Sequence, residues 1–564
     1  MTMVSRRALL ARISRVGTGA VLLPLAVACS LAPKAGNAPA STTSAGAARS
    51  SKVSLPAYVP VQGGPKPDLP PRADGVDAGF FAFPQTPFQS VQAREKAGNG
   101  DAVTLMTNLI QGSIVPLEQN SAWQAVNQDM GLTVRQRLYG SADYRNGLST
   151  TIAGGDLPDT IYNPPQKFIP NLPAFLQTQC GDLTAYLGGD AVKAYPNLAN
   201  IPTPCWAETV VNGAIYGVPV PRAPFLNAFL VRQDLVDQAQ LTQPTSADEF
   251  KKFLVALTNA QQNRFGLAAA NTGTSFGLGS QSPLLMIFGA PNNWRLDSAG
   301  QLIKDYETEE FRAAVAFARE LWSLGVWHPD TRTLNGTTLS TALRGGQAVV
   351  ASHSFGALIA QWPLLATENP AARLRVIHPF SADGKTKPIY HTGPSNFGIS
   401  YLKKASDERV KLVLRALNYI ASPFGSQEWV LLNYGVEGVH FTRDAQGVPS
   451  LTDKGKAEVL STWKYITNNP QVLYDSHRSV DYATDIQTDE KAMADVAITD
   501  PTLGYYSATY AGQQVLLDQA IGDGIADIVV GRAQLGDLDG LISDWRKNGG
   551  DKARAEYQQA LGVA

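Results

Sequence analysis

The sequence predicts an α/β protein built on two layered sheets. Three observations carry that expectation: short β-like runs alternate with amphipathic helices, the helix starts carry matching caps, and 44% hydrophobic with 17% charged residues is the balance of a water-soluble globular body. Asp101–Thr107, Thr133–Leu138, Thr160–Tyr162, Ala214–Val218, Phe229–Arg232, Gln347–Ser352 and Leu374–His378 read as strands. Ser246 and Glu249 stand at capping-box spacing ahead of Phe250, Phe253, Leu254 and Leu257, which share one helical face. Glu309–Leu324 reads as a helix stopped by Gly325, and Ser406 caps another with Val410, Val413, Leu414 and Leu417 turned inward. These stripes cover a core and mark no cofactor site. No repeat of solenoid period is present.

The formal net charge of −1 hides an asymmetry. Arg6, Arg7, Arg12 and Arg15 lie within residues 1–28, which hold no acid; without them 43 basic residues face 48 acidic ones, a net −5. A mildly acidic body lacks the basic field that phosphate-backbone binding requires, so nucleic acid is not an expected partner. The four arginines precede an apolar run, Val16 to Ala28, of signal-peptide length and short for a membrane span. Ser5-Arg6-Arg7-Ala8-Leu9-Leu10 resembles a twin-arginine signal, and ordinary Sec export fits as well. Ala26-Val27-Ala28-Cys29 resembles a bacterial lipobox, although Ala26 stands where leucine is usual, and predicts lipidation of Cys29. Residues 29–75 then form a tether, Ser/Ala/Gly-rich and next proline-rich (Pro56, Pro60, Pro65, Pro67, Pro70, Pro71); its flexible half cannot fold alone, and its stiff half can lie against the body. After Cys29 only Cys180 and Cys205 remain, and in an exported chain such a pair predicts a disulfide.

The motifs of several enzyme classes are missing. His328, His353, His378, His391, His440 and His477 are scattered, with no HExxH and no His/Cys group at ligand spacing, so no metal is expected. There is no GxSxG elbow, no phosphate loop and no dinucleotide fingerprint, so no cofactor is expected either. Carboxylate pairs for glycoside hydrolysis leave no local spacing, which keeps a secreted polysaccharide hydrolase or lyase open as an alternative.

An ordered set of segments resembles the extracellular solute-binding proteins of ABC importers, in the large lipoprotein branch similar to oligosaccharide- and alginate-binding receptors. The set runs from Tyr58-Val59-Pro60 and Pro67-Asp68-Leu69-Pro70 through Ile152 to Asp159 (IAGGDLPD) and Ile215-Tyr216-Gly217-Val218-Pro219. It continues with Val231-Arg232-Gln233-Asp234-Leu235, Pro244-Thr245 with Asp248-Glu249, Tyr434-Gly435-Val436-Glu437-Gly438, and Trp545 to Tyr557. The resemblance implies two α/β lobes joined by crossing strands, a Venus-flytrap fold, with lobes expected at 76–221 plus about 394–450 and at 222–393 plus about 451–564. It implies crossings near Pro219–Leu226 and His391–Phe397, and a third before the C-terminal helices. Relatives often carry a calcium loop after the helix that follows Pro-Thr; Thr258 to Gly266 (TNAQQNRFG) lacks its carboxylates, so calcium is not expected.

On that analogy the function is capture of an oligosaccharide or related polar solute between the lobes, without catalysis, by a monomer lipid-anchored at the outer face of the cytoplasmic membrane and delivering to permease subunits. A peptide receptor on the same fold is the other alternative. Sugars need aromatic platforms and planar polar groups. The expected platforms are Trp294, Trp362, Trp206 and Tyr434, for each of which core packing is the competing role. The expected polar contacts are Asp159, whose competing role is a turn cap; Glu437 and His440 in a glycine-flanked turn; and Arg222, which can clamp the carboxylate of an acidic sugar or hold a hinge salt bridge.

Overall fold

The computed structural model describes residues 53–91, 102–109, 114–141, 143–164, 169–271, 275–476 and 479–563. The signal segment, Cys29 and the first part of the tether lie outside the described residues. The first sheet grows from β1 (Ala102–Leu109), whose Val103 and Leu105 feed one apolar layer and Met106 the other. β2 (Thr133–Gly140) and β3 (Thr160–Asn163) flank it in parallel. Helix α1 (Ser121–Met130) makes the crossover between β1 and β2; the Asn120 side chain caps it by accepting from Trp123 N–H, and Gly131 closes it in the left-handed conformation. Helix α2 (Leu172–Gln179) follows β3. The strand expected over Ala214–Val218 splits. Ala214–Ile215 folds back on Val210–Val211 around Asn212-Gly213, both at positive φ, and β4 (Gly217–Pro221) then joins the sheet.

The chain next builds a second sheet from β5 (Asn227–Arg232), β6 (Phe265–Ala269), β7 (Ala348–Ser354) and β8 (Leu374–Val376), in the spatial order β8-β5-β7-β6. Phe229 and Val231 enter one apolar layer, Ala228 and Leu230 the other. Helix α3 (Ala247–Leu257) covers the first layer. Ser246 Oγ accepts from Glu249 N–H at 3.3 Å, and the Glu249 carboxylate returns to the N–H and hydroxyl of Thr245, at 2.8 and 2.7 Å, one residue earlier than a capping box would close. Helix α4 (Glu309–Ser323) is capped by Thr308 and followed by Gly325 at φ +68°.

From β9 (Tyr390–Thr392) the chain returns, and β10 (Asn396–Leu402) inserts between β3 and β4, antiparallel to both. Helices α5 (Asp407–Ile420), capped by Ser406, and α6 (Gln427–Tyr434) cover the first sheet. The second half of the chain was expected to leave this body at about residue 450; instead Leu460, Trp463 and Ile466 pack in the same layer as Val103 and Val218, so the departure follows Ile466. Helix α7 (Ser479–Ala494) then packs beneath the second sheet, and β11 (Ala497–Thr499) pairs in parallel with β9.

The proline-rich half of the tether lies on the body. Val53, Leu55 and Val59 pack against the first core, with Ala57 N–H on Gly189 O at 3.0 Å and Val59 N–H on Ala199 O at 2.8 Å. Further along, Leu69 packs with the second core, Arg72 pairs with Asp495 at 2.9 Å, and Asp77 N–H meets the Glu490 carboxyl of α7 at 2.9 Å. One strap therefore touches both bodies. Asp77 and Glu490 are both buried, and burial pushes both well above the usual carboxylate range, Glu490 further by the charge of Asp77, while the hydrogen bond with Glu490 opposes the rise at Asp77.

The expected disulfide is absent: Cys180 and Cys205 are free and buried. Cys180 closes α2 in the layer of Met106 and Tyr401, whereas Cys205 sits in the layer of Val103 and Leu402. Neighbouring strand residues face opposite ways, so the two thiols lie across the sheet from each other. Burial pushes each thiol up to about 12. Thiol titration of the denatured chain without reductant is expected to find Cys180 and Cys205 both reactive, each protected in the native state, with a Tm that reductant leaves unchanged.

Candidate functional site

β1 to β4 run in one direction, so their carboxyl ends, Leu109, Gly140, Asn163 and Pro221, share an edge that β10 enters at Asn396. Ligands in open α/β sheets sit beyond that edge. Two of the crossings between the sheets leave from it, over residues 222–226 and 393–395. The second sheet meets it with Asn227, paired to Ser354. The crossing strands pass closely: Gly393 N–H donates to Pro224 O at 2.9 Å, and a Cβ on Gly393 would overlap the side chain of Leu226.

At this edge the Arg222 guanidinium lies 5.2 Å from the centroid of the Phe397 ring, and that ring is 5.8 Å from Tyr465. The backbone holds each member. Arg222 N–H donates to Ser395 O at 3.1 Å, the Tyr162 hydroxyl donates to Phe397 O at 2.6 Å, and Thr107 Oγ1 donates to Tyr465 O at 3.2 Å. Gly398 is required beside them. Its φ is +137°, and a Cβ there would come within 2.5 Å of the Tyr162 ring. Burial pulls Arg222 down to about 10, against the opposing influence of Tyr162, Glu208 and Tyr390. The buried side-chain atoms Asn108 Oδ1, Asn163 Oδ1 and Arg222 Nε have no hydrogen-bond partner among the described residues. Phe397 and Tyr465 are half-buried, which leaves ring surface open to a solute. Tyr506, which follows β11, packs against the apolar layer that holds Leu172 at the start of α2.

Of the residues the sequence nominated, Arg222 is the one placed at this edge. Three platforms require correction. Trp206 and Trp362 are 0% exposed and Trp294 is 2% exposed, each inside a different apolar layer. Trp206 Nε1–H donates to Ile201 O, Trp294 packs on Trp545 and Tyr557, and Trp362 on Tyr482. A ring sealed in a core presents no face to a solute. Tyr434 packs among Phe83, Trp429 and Phe441. Asp159 precedes β3 and so lies at the amino edge, opposite the crossings, where it binds Arg409 at 2.7 Å and Thr104 N–H at 2.8 Å. Glu437 is exposed and pairs with Arg443 at 3.1 Å.

His440 is buried, with Nδ1 accepting from Val436 N–H at 3.0 Å and Nε2 lying 3.0 Å from Ser121 Oγ and 3.3 Å from Glu458. Ser121 also donates to Glu458 at 2.6 Å. Because Nδ1 is an acceptor, Nε2 carries the proton of the neutral ring and cannot remove one from Ser121; the trio is a structural clasp and not a nucleophile with its base. Among the described residues no three His, Cys, Asp or Glu side chains converge as a metal site. Phe397, Tyr465 and Tyr162 escaped sequence reasoning. An aromatic or amide at the carboxyl end of a strand, as in Ile161-Tyr162-Asn163, was the signal available for Tyr162.

The family described as bacterial extracellular solute-binding protein matches residues 121–430, more than half the chain. The lipoprotein LipO of Bacillus subtilis (strain 168) is 21% identical over 494 residues, spanning 82% of this chain and 93% of LipO. The polygalacturonan/rhamnogalacturonan-binding protein YtcQ of the same organism is 21% identical over 442 residues, spanning 73% and 82%. Among solved structures, an HMO-binding, ABC-transporter-associated solute-binding protein from Bifidobacterium longum infantis ATCC 15697 shares the fold with a TM-score of 0.62 at 13% identity, over 83% of this chain and 99% of that one.

Burial tends to raise Glu458, but hydrogen bonds from Ser121 and His440 outweigh it and pull the carboxyl down to about 2. A carboxyl depressed in the folded state contributes stability above its unfolded pKa near 4.5, and that contribution is lost as pH falls towards 2. Glu458→Gln is therefore expected to lower Tm by roughly 2–5 °C at pH 7, with the gap to wild type closing as calorimetry is repeated down to pH 3.

Proposed function

The chain belongs to the bacterial extracellular solute-binding proteins, and from that premise we propose that it is the receptor of an ABC importer, taking up an oligosaccharide between two lobes and delivering it unaltered to membrane permease subunits. The lobes are the two sheet bodies, hinged at 222–226, 393–395 and the segment after Ile466. The observation that carries this reading is the stack of Arg222, Phe397 and Tyr465 at the shared carboxyl edge: half-buried rings offer flat apolar surface to the C–H face of a sugar, and the guanidinium offers planar donors to its oxygens. The names of YtcQ and of the Bifidobacterium structure, both of carbohydrate binders, favour a sugar. No residue of the chain is assigned to bond breaking. The ligand is held, not transformed.

Closure needs contacts made to both lobes, because only a solute that binds the closed state better shifts the equilibrium. The packing of Tyr506 against the layer of Leu172 is a contact of that kind within the protein itself. Export through the segment up to Ala28, lipidation of Cys29 and the tether after it support a monomer at the outer face of the cytoplasmic membrane.

Isothermal titration of the chain against a glycan panel is expected to give at least one oligosaccharide with roughly micromolar or tighter Kd, a smaller radius of gyration by X-ray scattering on binding, and recovery of the sugar intact. Products of cleavage, or peptides binding while no glycan does, would overturn the reading.

A further inference from the structure

We infer that the solute carries a carboxylate, that of an acidic sugar, and that Arg222 is the residue that recognises it; this deepens the proposed function and rests on it. Four other arginines are held in close ion pairs. Arg232 has Asp234 at 2.7 Å, Arg375 has Asp489 at 2.7 Å, Arg409 has Asp159 at 2.7 Å and Arg554 has Glu307 at 2.6 Å. Arg222 forms no ion pair among the described residues, and its Nε is buried without an acceptor. The oxygens around it serve other groups. The Tyr162 hydroxyl is committed to Phe397 O, the Tyr390 hydroxyl donates to Asn227 O at 3.0 Å, and Glu208 accepts from Asn396 at 3.2 Å.

Glu208 acts on Arg222 from beyond ion-pair distance, so this half-buried guanidinium, which does not shed its proton at physiological pH, keeps donors for an incoming anion. The guanidinium carbon lies 5.2 Å from the centroid of the Phe397 ring, and the N–H edge of a guanidinium matches two carboxylate oxygens. The position is suited to a ligand: Arg222 lies on the first crossing, its N–H tied to the second through Ser395 O, at the edge where both sheets open. Phe397 and Tyr465 continue the surface, so a ring whose carboxylate meets Arg222 can lay its C–H face on them. A pyranose uronate has that shape.

The test uses the full chain and three trimeric uronates, of galacturonate, guluronate and glucuronate, each beside its carboxyl-reduced neutral twin, which keeps every other hydroxyl. At least one uronate is expected to bind, with its twin about 100-fold weaker and with affinity falling as salt rises. Arg222→Met, which keeps a side chain over Phe397, is expected to abolish that preference and bind acid and twin alike; Arg222→Lys is expected to recover part of it. The ligand-free Arg222→Met protein is expected to melt within about 2 °C of the wild-type Tm, because no close ion pair is lost, whereas an arginine serving a structural ion pair would melt lower when replaced. Equal binding of acid and twin by wild type, or an unchanged preference in Arg222→Met, overturns this inference and leaves the proposed function standing. Binding of peptide carboxylates and of no sugar overturns both.

Discussion

The pairing of β10 between β3 and β4 is the constraint from which the rest of the molecule follows. That strand is laid into the first sheet only after the chain has built the whole of the second, and it bonds antiparallel on both sides, Ile399 opposite Asn163 and Pro219. A strand inserted in that way must be approached from the edge at which β4 departs. Two crossings are thereby forced side by side, with Gly393 against Leu226 and Arg222 against Ser395. Arg222, Phe397 and Tyr465 are collected beyond the carboxyl ends of the parallel strands, where open α/β sheets hold their ligands.

The same constraint explains why the site is held by backbone atoms. Tyr162, Thr107 and Arg222 each fix a neighbour through a main-chain carbonyl, so the stack does not depend on any one side-chain pair. The molecule also ties its two bodies together outside the hinge. The strap through residues 53–79 touches both cores, and Tyr506 packs against the layer of Leu172. An opening motion must stretch or release these contacts, so they set part of the free-energy difference between open and closed states that a solute has to overcome.

Legibility from the sequence followed the range of the interaction. Helix starts at Ser246, Thr308 and Ser406 and the stop at Gly325 are local hydrogen-bond and dihedral effects, and each of these ends lies within a residue or two of where the pattern puts it. The strands over Thr133 and Phe229 were legible for the same reason, since an alternating or fully apolar run needs a pleated surface whatever lies beside it. Trp206, Trp294 and Trp362 misled because a tryptophan has the same neighbours in sequence whether its ring enters a core or a cleft. The cysteine pair misled for a related reason. Spacing carries no information on which face of a sheet each thiol joins, and here the faces differ.

The amino-acid sequence alone determined the fold class, the address-like N-terminus, the tether and the family resemblance, because those depend on composition, period and order along the chain. Tertiary structure alone decided that Asp159 stands at the edge away from the crossings, that Cys180 and Cys205 are separated by a sheet, and that Phe397 and Tyr465 flank Arg222. Those facts depend on which strand enters which sheet, a choice made by burial and hydrogen bonding between segments far apart in the chain. No local pattern encodes it.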